Sequence, residues 1–323
     1  MTRAFAFVDW RRLAGVAVPV TLALALVPLF AREYTVHVLV QCLYYTILAA
    51  SWNLLAGMTG QFSLAHQSFA AIGGYTTGLL IRYFETPLWL SIPAAMLLSA
   101  ALGYLLGRIV LRMRAIYLAI ATWAFAETFH ILLTAAYPIT RGELGLSVPS
   151  LFGHLRPTPY YYTFLALAAA TILGMYLLVR SPIGYFMRAI KDDELRAETL
   201  GVDTTRVKVL VFALTSAIAG LAGAFYAHYD VVLSPQRADF SVMATLIIMV
   251  VVGGLGSFVG PLIATAPIHL TLIFLQKYGE WDMVVFALLV IALMRSYIGG
   301  LAALFAEAYQ KLRTLGGERW ARR

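Results

Sequence analysis

Residues 35–63 read TVHVLVQCLYYTILAASWNLLAGMTGQFS. The first part, 35–56, carries no Lys, Arg, Asp or Glu, and a membrane helix needs roughly 17–25 predominantly apolar residues. The run then breaks into Gly57-Met-Thr-Gly60-Gln61-Phe62-Ser63 instead of ending in a charged loop. A backbone interrupted at membrane depth is tolerated only where protein or a water-filled cavity satisfies its peptide groups. The stretch therefore predicts a membrane span with an irregular, buried end.

Nine further apolar runs surround it, at about 13–31, 68–81, 88–107, 116–136, 160–179, 209–229, 241–253, 258–275 and 281–298. The runs at 68–81 and 241–253 are short, as discontinuous helices or spans lengthened by polar flanks would be. The first run follows Arg3, Arg11 and Arg12; the many spans behind it favour an uncleaved first helix over a signal peptide. Of the 323 residues 61% are hydrophobic and 12% charged, whereas a soluble domain carries about 25% charged residues. The expectation is an all-α, polytopic membrane bundle of about ten transmembrane helices, a single transmembrane domain over 1–323. Cys42 stands alone, so no intramolecular disulfide forms.

Of the 24 Lys and Arg, 23 lie outside these runs and Arg295 lies near the end of the last one, and their placement sets an orientation. With the N-terminus inside and the spans alternating, 18 of the 24 fall on inside segments, as the positive-inside rule requires. The net charge of +8 is thus topological and gives no reason to expect nucleic acid. Both termini are expected in the cytoplasm.

Two polar segments stand out. One, at 137–159, is placed outside and contains Pro138, Pro149, Pro157 and Pro159. The other, 180–208, is inside and the most charged part of the chain. Ser181-Pro182 reads as a helix start. Ile183, Phe186, Met187, Ile190, Ala197 and Leu200 then recur at helical spacing, and Gly201 reads as the stop. Thr204 or Thr205 is placed to cap the next span. The predicted amphipathic helix mixes five acids with six bases across its segment, which suits a protein partner better than an anionic lipid surface. A plain solvated loop helix is the alternative.

The glycine break recurs. Gly253-Gly254-Leu-Gly256-Ser257-Phe258 shares G-x-x-G-x-F with Gly57 to Phe62, and both follow a span running outside to inside. Paired interruptions of this kind mark substrate paths in transporters; tight turns or close helix packing would leave the same trace. Glu127 is the one acid expected inside a span, with His130 three residues on. A charge there should face the bundle interior or be protonated. Glu-x-x-His also resembles half of a di-iron motif, but no second span supplies a carboxylate; a proton relay or a structural hydrogen bond remains. The candidate pathway residues are Asn53, Gly57, Gly60, Gln61, Ser63, Glu127, Gly253, Gly254, Gly256 and Ser257. Thr122, Ser216, His228 and Thr245 read as hydrogen bonds between helices. No catalytic or metal-ligating set is found. None of the four lysines follows a glycine, so there is no phosphate-binding loop; if ATP drives this protein, another chain binds it.

At this point a family resemblance enters. Ser51 to Tyr75 looks like the N-terminal motif of branched-chain amino-acid ABC transporter permeases. Tyr117-Leu-Ala-Ile-Ala-Thr-Trp-Ala-Phe-Ala-Glu127 resembles their mid-chain helix, and Thr140 to Leu146 the outer loop of the LivM-type subunit. Gly184 to Leu221 is similar to their coupling loop, and Val252 to Pro261 to their C-terminal glycine motif. The resemblance implies a LivM-type permease of the bacterial inner membrane, paired with a LivH-type permease. Two LivG- and LivF-type ATPases and a periplasmic solute-binding protein complete the importer. Solutes would be branched-chain or other hydrophobic amino acids, with urea or short amides as the alternative within the same family, and a stand-alone secondary transporter a weaker reading. It also implies that Glu194, Ala197, Glu198 and Gly201 lie on the ATPase-contacting loop, flanked by Arg188 and Lys191. Arg141 departs from the pattern, standing where a second glycine is common.

Overall fold

The computed structural model describes residues 19–113, 115–154 and 156–275, with single positions between 284 and 291. Its helices follow the apolar runs. In chain order they are α1 (Pro19–Leu29), α2 (Glu33–Trp52, continued by a wider π turn over Asn53–Met58), α3 (His66–Phe84), α4 (Leu88–Val110) and α5 (Ala115–Ala135). After a one-turn helix α6 (Tyr137–Thr140) come strand β1 (Leu146–Ser147), α7 (Pro157–Arg180), α8 (Pro182–Asp192), α9 (Glu194–Thr199) and α10 (Thr204–Asp230). Strand β2 (Val232–Leu233), α11 (Phe240–Gly254) and α12 (Gly260–Leu275) close the described chain. The expected spans at 281–298 and over the start of 13–31 lie outside the described residues. The strands pair antiparallel, Leu146 opposite Leu233, and leave the fold all-helical.

Five of these helices are long and apolar enough to cross a membrane: α2 with its π turn, α4, α5 from Ile116, α7 and α10. The run at 68–81 became a 19-residue helix by taking in polar flanks, His66 and Gln67 at one end and Arg82 at the other. It tolerates them because every residue from His66 to Tyr75 is buried by the rest of the chain. A helix wrapped in protein has no need of an apolar surface all round. By contrast α4, α5 and α7 expose Leu97, Ile109, Ile120 and Leu177, as helices facing lipid or a second membrane chain do.

Of the segments grouped as inside, the described ones at 57–67, 180–208 and 254–257 gather at one end of the bundle. There α8 touches α7, α10 and the π turn of α2. The opposite end joins Tyr83 to the carbonyls of Pro138 and Ile139, and His228 Nδ1 to the carbonyl of Pro149 (2.8 Å). Residues 59–65, the irregular buried end expected after the span, run back along α2 as a return segment. Trp52 Nε1 donates to the Ser63 carbonyl (2.8 Å), Ser51 Oγ pairs with His66 Nε2 (2.8 Å), and Gln67 Nε2 donates to Tyr44 Oη (3.3 Å). Consequently α3 starts level with the middle of α2.

The centre is a close contact of α10 with α3 and α4, built from small residues. A Cβ on Gly223 would lie 1.9 Å from the Ala70 carbonyl oxygen, and one on Gly73 the same distance from that of Gly220. On the other side of α10, a Cβ on Gly220 would meet Ser99 Oγ at 2.1 Å, and one on Gly103 would meet Ser216 Oγ at 2.4 Å. Where hydrocarbon replaces water, this close approach is what favours helix association. Ser216 serves the contact by size: its hydroxyl bonds to Phe212 of its own helix, and Thr245 likewise to Ser241, not between helices as expected.

Gly223→Leu is expected to destabilise the detergent-solubilised protein by about 3 kcal/mol or more, from overpacking against backbone that cannot yield. Gly174→Ala, where nothing lies within 4 Å of the added carbon, should leave the midpoint of heat-induced aggregation unchanged or raised.

Candidate functional site

The two glycine breaks, some 200 residues apart in sequence, meet in space. Asn53 opens the π turn of α2 and is buried. Its Oδ1 accepts from Gly256 N (2.7 Å) and its Nδ2 donates to the Ser257 carbonyl (2.8 Å), so one amide clips the turn between α11 and α12. Glycine is needed for the approach: a Cβ on Gly57 would sit 2.5 Å from Gly256 N. The turn itself runs through positive φ at Gly254 (111°) and Gly256 (83°), a region that L side chains rarely adopt. Gly253 and Gly260 close it, each with room for no Cβ against the other's carbonyl. Ser257 Oγ accepts from Gly260 N (3.2 Å) and starts α12.

The orphan carbonyls at the end of α2 are taken up one by one. Thr59 Oγ1 donates to the Leu55 carbonyl (2.6 Å), and Lys191 Nζ, from α8, to that of Gly57 (2.5 Å). A cation at a helix C-terminus also complements the helix dipole. Gly60 (φ 75°) passes beneath Lys191, whose Cγ lies 3.8 Å from where a Cβ would be. Ser63 is structural in its contacts, accepting from Ala65 N at Oγ (3.3 Å). Gln61 is different: its side chain is buried and neither amide atom has a partner.

The polar segment 180–208 differs from its sequence reading in four ways. It forms two helices instead of one, because Asp193 takes an extended conformation and caps α9 through Arg196 N (3.0 Å). Ser181 precedes α8 but turns its hydroxyl back to the Leu178 carbonyl. The cap of α10 is Asp203, accepting from Arg206 N, and neither Thr204 nor Thr205. Of the expected inner face, Met187, Ile190 and Ala197 are buried, while Phe186 is exposed and Leu200 is 79% exposed.

Burial of Ala197 removes it from the surface a partner could touch. The charges implicated on the loop are largely spent within the chain. Arg188 donates to the carbonyls of Val179 (3.0 Å) and Gly184 (3.1 Å). Glu194 pairs with Lys208, and Glu198 accepts from Thr204 Oγ1 (2.6 Å), so α9 is stapled to the start of α10. Gly201 (φ 87°) ends α9 in a Schellman arrangement, Val202 N reaching the Ala197 carbonyl and Gly201 N that of Glu198. Apolar side chains share that surface with the exposed Asp192 and Arg196: Leu195 is 73% exposed beside Leu200, with Tyr185 on α8.

Glu127 does not join this junction. Its side chain is 42% exposed, facing away from this chain's interior, with His130 at 3.9 Å. Of the two expectations for a charge in this span, an inward face or protonation, the first is not met within one chain.

A second charged group escaped the sequence reading. Arg237, counted as an outside-loop residue, pairs with Asp230 (Nη2 to Oδ2 2.5 Å) and lies 5.0 Å above the Tyr226 ring. That ring stacks on Tyr44 of α2 at 4.2 Å, eleven residues or about 16 Å along the helix from Glu33. The segment after α10 therefore folds back into the bundle, and the Arg237 carbonyl accepts from Gln67 Nε2 (3.0 Å) at the foot of α3. The ion pair looked like loop charge because a hydropathy window cannot see a chain that re-enters. Among the described residues no group of three or more His, Cys, Asp or Glu is placed to hold a metal.

Residues 34–294 match the family of branched-chain amino acid transport system permease components. The chain is 31% identical over 295 residues to the high-affinity branched-chain amino acid transport system permease protein LivM of Escherichia coli, covering 83% of this chain and 69% of that one. To LivM of Salmonella typhimurium it is 30% identical over the same shares. It is also 27% identical to LivH of Escherichia coli over 77% of this chain and 88% of the relative. No solved structure matches.

Asn53→Leu leaves Gly256 N and the Ser257 carbonyl buried without their partner, at a cost of ~1–3 kcal/mol per group. The variant should lower the thermal midpoint by several degrees and expose the α11–α12 turn to limited proteolysis; unaltered cleavage there would show that the clip holds nothing.

Proposed function

The chain belongs to the family of branched-chain amino acid transport permeases, and on that premise we propose that it is the LivM-type membrane subunit of an ATP-driven importer for branched-chain or other hydrophobic amino acids. It pairs with a LivH-type permease around a shared path. LivG- and LivF-type ATPases dock on α8 and α9, and a periplasmic binding protein delivers the solute. The chain binds no nucleotide itself. The excess of basic residues at the α8 end supports a cytoplasmic position for that end and for both termini, in a bacterial inner membrane.

The observation that carries the reading is the Lys191 bond to the Gly57 carbonyl. Helix α8 is bolted to the ends of α2 and α7 by Lys191 and Arg188, and α9 to the start of α10 by Glu194 and Glu198. A push on this pair is delivered to three spans at once. Through Asn53 it continues to the α11–α12 turn. Coupling charges bonded within the chain, with Leu195 and Leu200 left bare, support a division of labour in which polar groups transmit and apolar groups dock. Buried apolar anchors supply most of the energy of such contacts.

The test is the complex with its second permease, ATPases and binding protein in liposomes. Leucine should stimulate ATP hydrolysis, and urea and acetamide should not; the reverse order would move the solute class to short amides. Leu195→Asp with Leu200→Asp should cut the stimulation about tenfold or more. Full stimulation in that variant would remove α9 from the coupling path.

A further inference from the structure

The Arg237–Asp230 pair has no part in the junction at the α8 end, yet it sits where charge is hard to keep. Asp230 is the last residue of α10, and Arg237 turns back over Tyr226 one turn deeper; a charged side chain within a membrane bundle is costly and marks function by default. Three features distinguish this pair from a mere brace of the turn at 235–238. First, it is open: the side chains of Arg237 and Asp230 are 34% and 28% exposed in the single chain. Second, its surroundings are aromatic, with Arg237 over Tyr226 and Tyr226 stacked on Tyr44. Third, an acceptor beside it is unspent. Gln67 uses Nε2 on Tyr44 Oη and the Arg237 carbonyl, while its buried Oε1 has no donor.

From these we infer that Arg237 and Asp230 form a relay site for the zwitterionic head of an α-amino acid, with the tyrosines receiving its apolar side chain. The α-carboxylate takes the guanidinium, which binds carboxylates through two parallel hydrogen bonds. The α-ammonium takes Asp230, and Gln67 Oε1 offers a further acceptor at the same level. The exchange leaves the site's net charge at zero before and after. A dipolar solute can thus enter a low-dielectric bundle without either partner standing alone, the condition that makes unpaired buried charge prohibitive. A neutral amide needs no such pair. The inference rests on the amino-acid reading above.

The experiment uses the assembled complex and two readouts, leucine uptake into liposomes and the thermal midpoint in detergent with millimolar solute. In the unaltered complex leucine should raise the midpoint, and N-acetyl-leucine and leucinamide, each with one charge removed or masked, should not. Arg237→Lys keeps the charge and the ion pair, so folding is preserved, but it loses the planar fork. It should abolish the leucine shift and reduce uptake about tenfold. Asp230→Asn should reverse the preference, N-acetyl-leucine stabilising the complex more than leucine does. Equal stabilisation of the unaltered complex by all three solutes, or Arg237→Lys with undiminished leucine shift and uptake, would overturn the site while leaving the importer standing. An unaltered complex that takes up urea but no amino acid would overturn both.

Discussion

Every peptide group that leaves regular helix inside a bilayer must find its partner within protein, because hydrocarbon offers none. This chain breaks regular helix twice at one end of the bundle, and the rest of its architecture follows from how those breaks are paired. The carbonyls released at the end of α2 are taken by Thr59 and by Lys191 from a helix 134 residues further on. The groups released at the α11–α12 turn are taken by Asn53. Each solution joins elements far apart in sequence. The polar requirement of the backbone, not apolar attraction, is what ties α2, α8 and the α11–α12 hairpin into one unit, since lipid is as apolar as the side chains themselves.

Much of this was legible beforehand, and the reasons are local. Apolar runs are sampled residue by residue, so nine of the ten expected spans have a described helix. The G-x-x-G-x-F pair stood out because glycine in an apolar run is costly unless close approach or positive φ demands it, and here it does both. Asn53 was chosen for being polar in a span, and its role as a clip needed the partner turn to be seen. Other features could not be read along the chain. The break at Asp193 depends on a side chain capping the backbone ahead of it, where the apolar period simply continues. Leu200 kept the period yet lies outside it, because α9 starts at a new angle. Arg237 and Asp230 resembled loop charges, since a segment that folds back inward carries no hydropathy signature. Glu127 was expected to face inward on the premise of a complete bundle; in a subunit with exposed apolar flanks on α4, α5 and α7, outward is also toward other membrane chains.

Arg141 holds a conformation that glycine suits better: its backbone is left-handed, φ 62° and ψ 10°. The neighbouring Gly142 and Gly145 are also at positive φ. The loop thus takes left-handed backbone at three places and carries a side chain at one of them, a strain of order 1 kcal/mol or more that the surrounding turn absorbs.

The contact of α3, α4 and α10 has a consequence for motion. Helices that meet through backbone have no layer of side chains between them to change rotamer, and packed interfaces move between discrete arrangements instead of sliding continuously. With Gly73 and Gly223 pressed against opposing carbonyls and Gly220 against Ser99, these three helices behave as a stator. The rotor is then what the polar clips hold together: α2, α8 and the α11–α12 hairpin, hinged on glycines and fastened by hydrogen bonds that can be exchanged. A machine divided in this way changes its facing by moving its hydrogen-bonded half against its close-packed half, and mutations that loosen the stator should blur the two end states instead of favouring one.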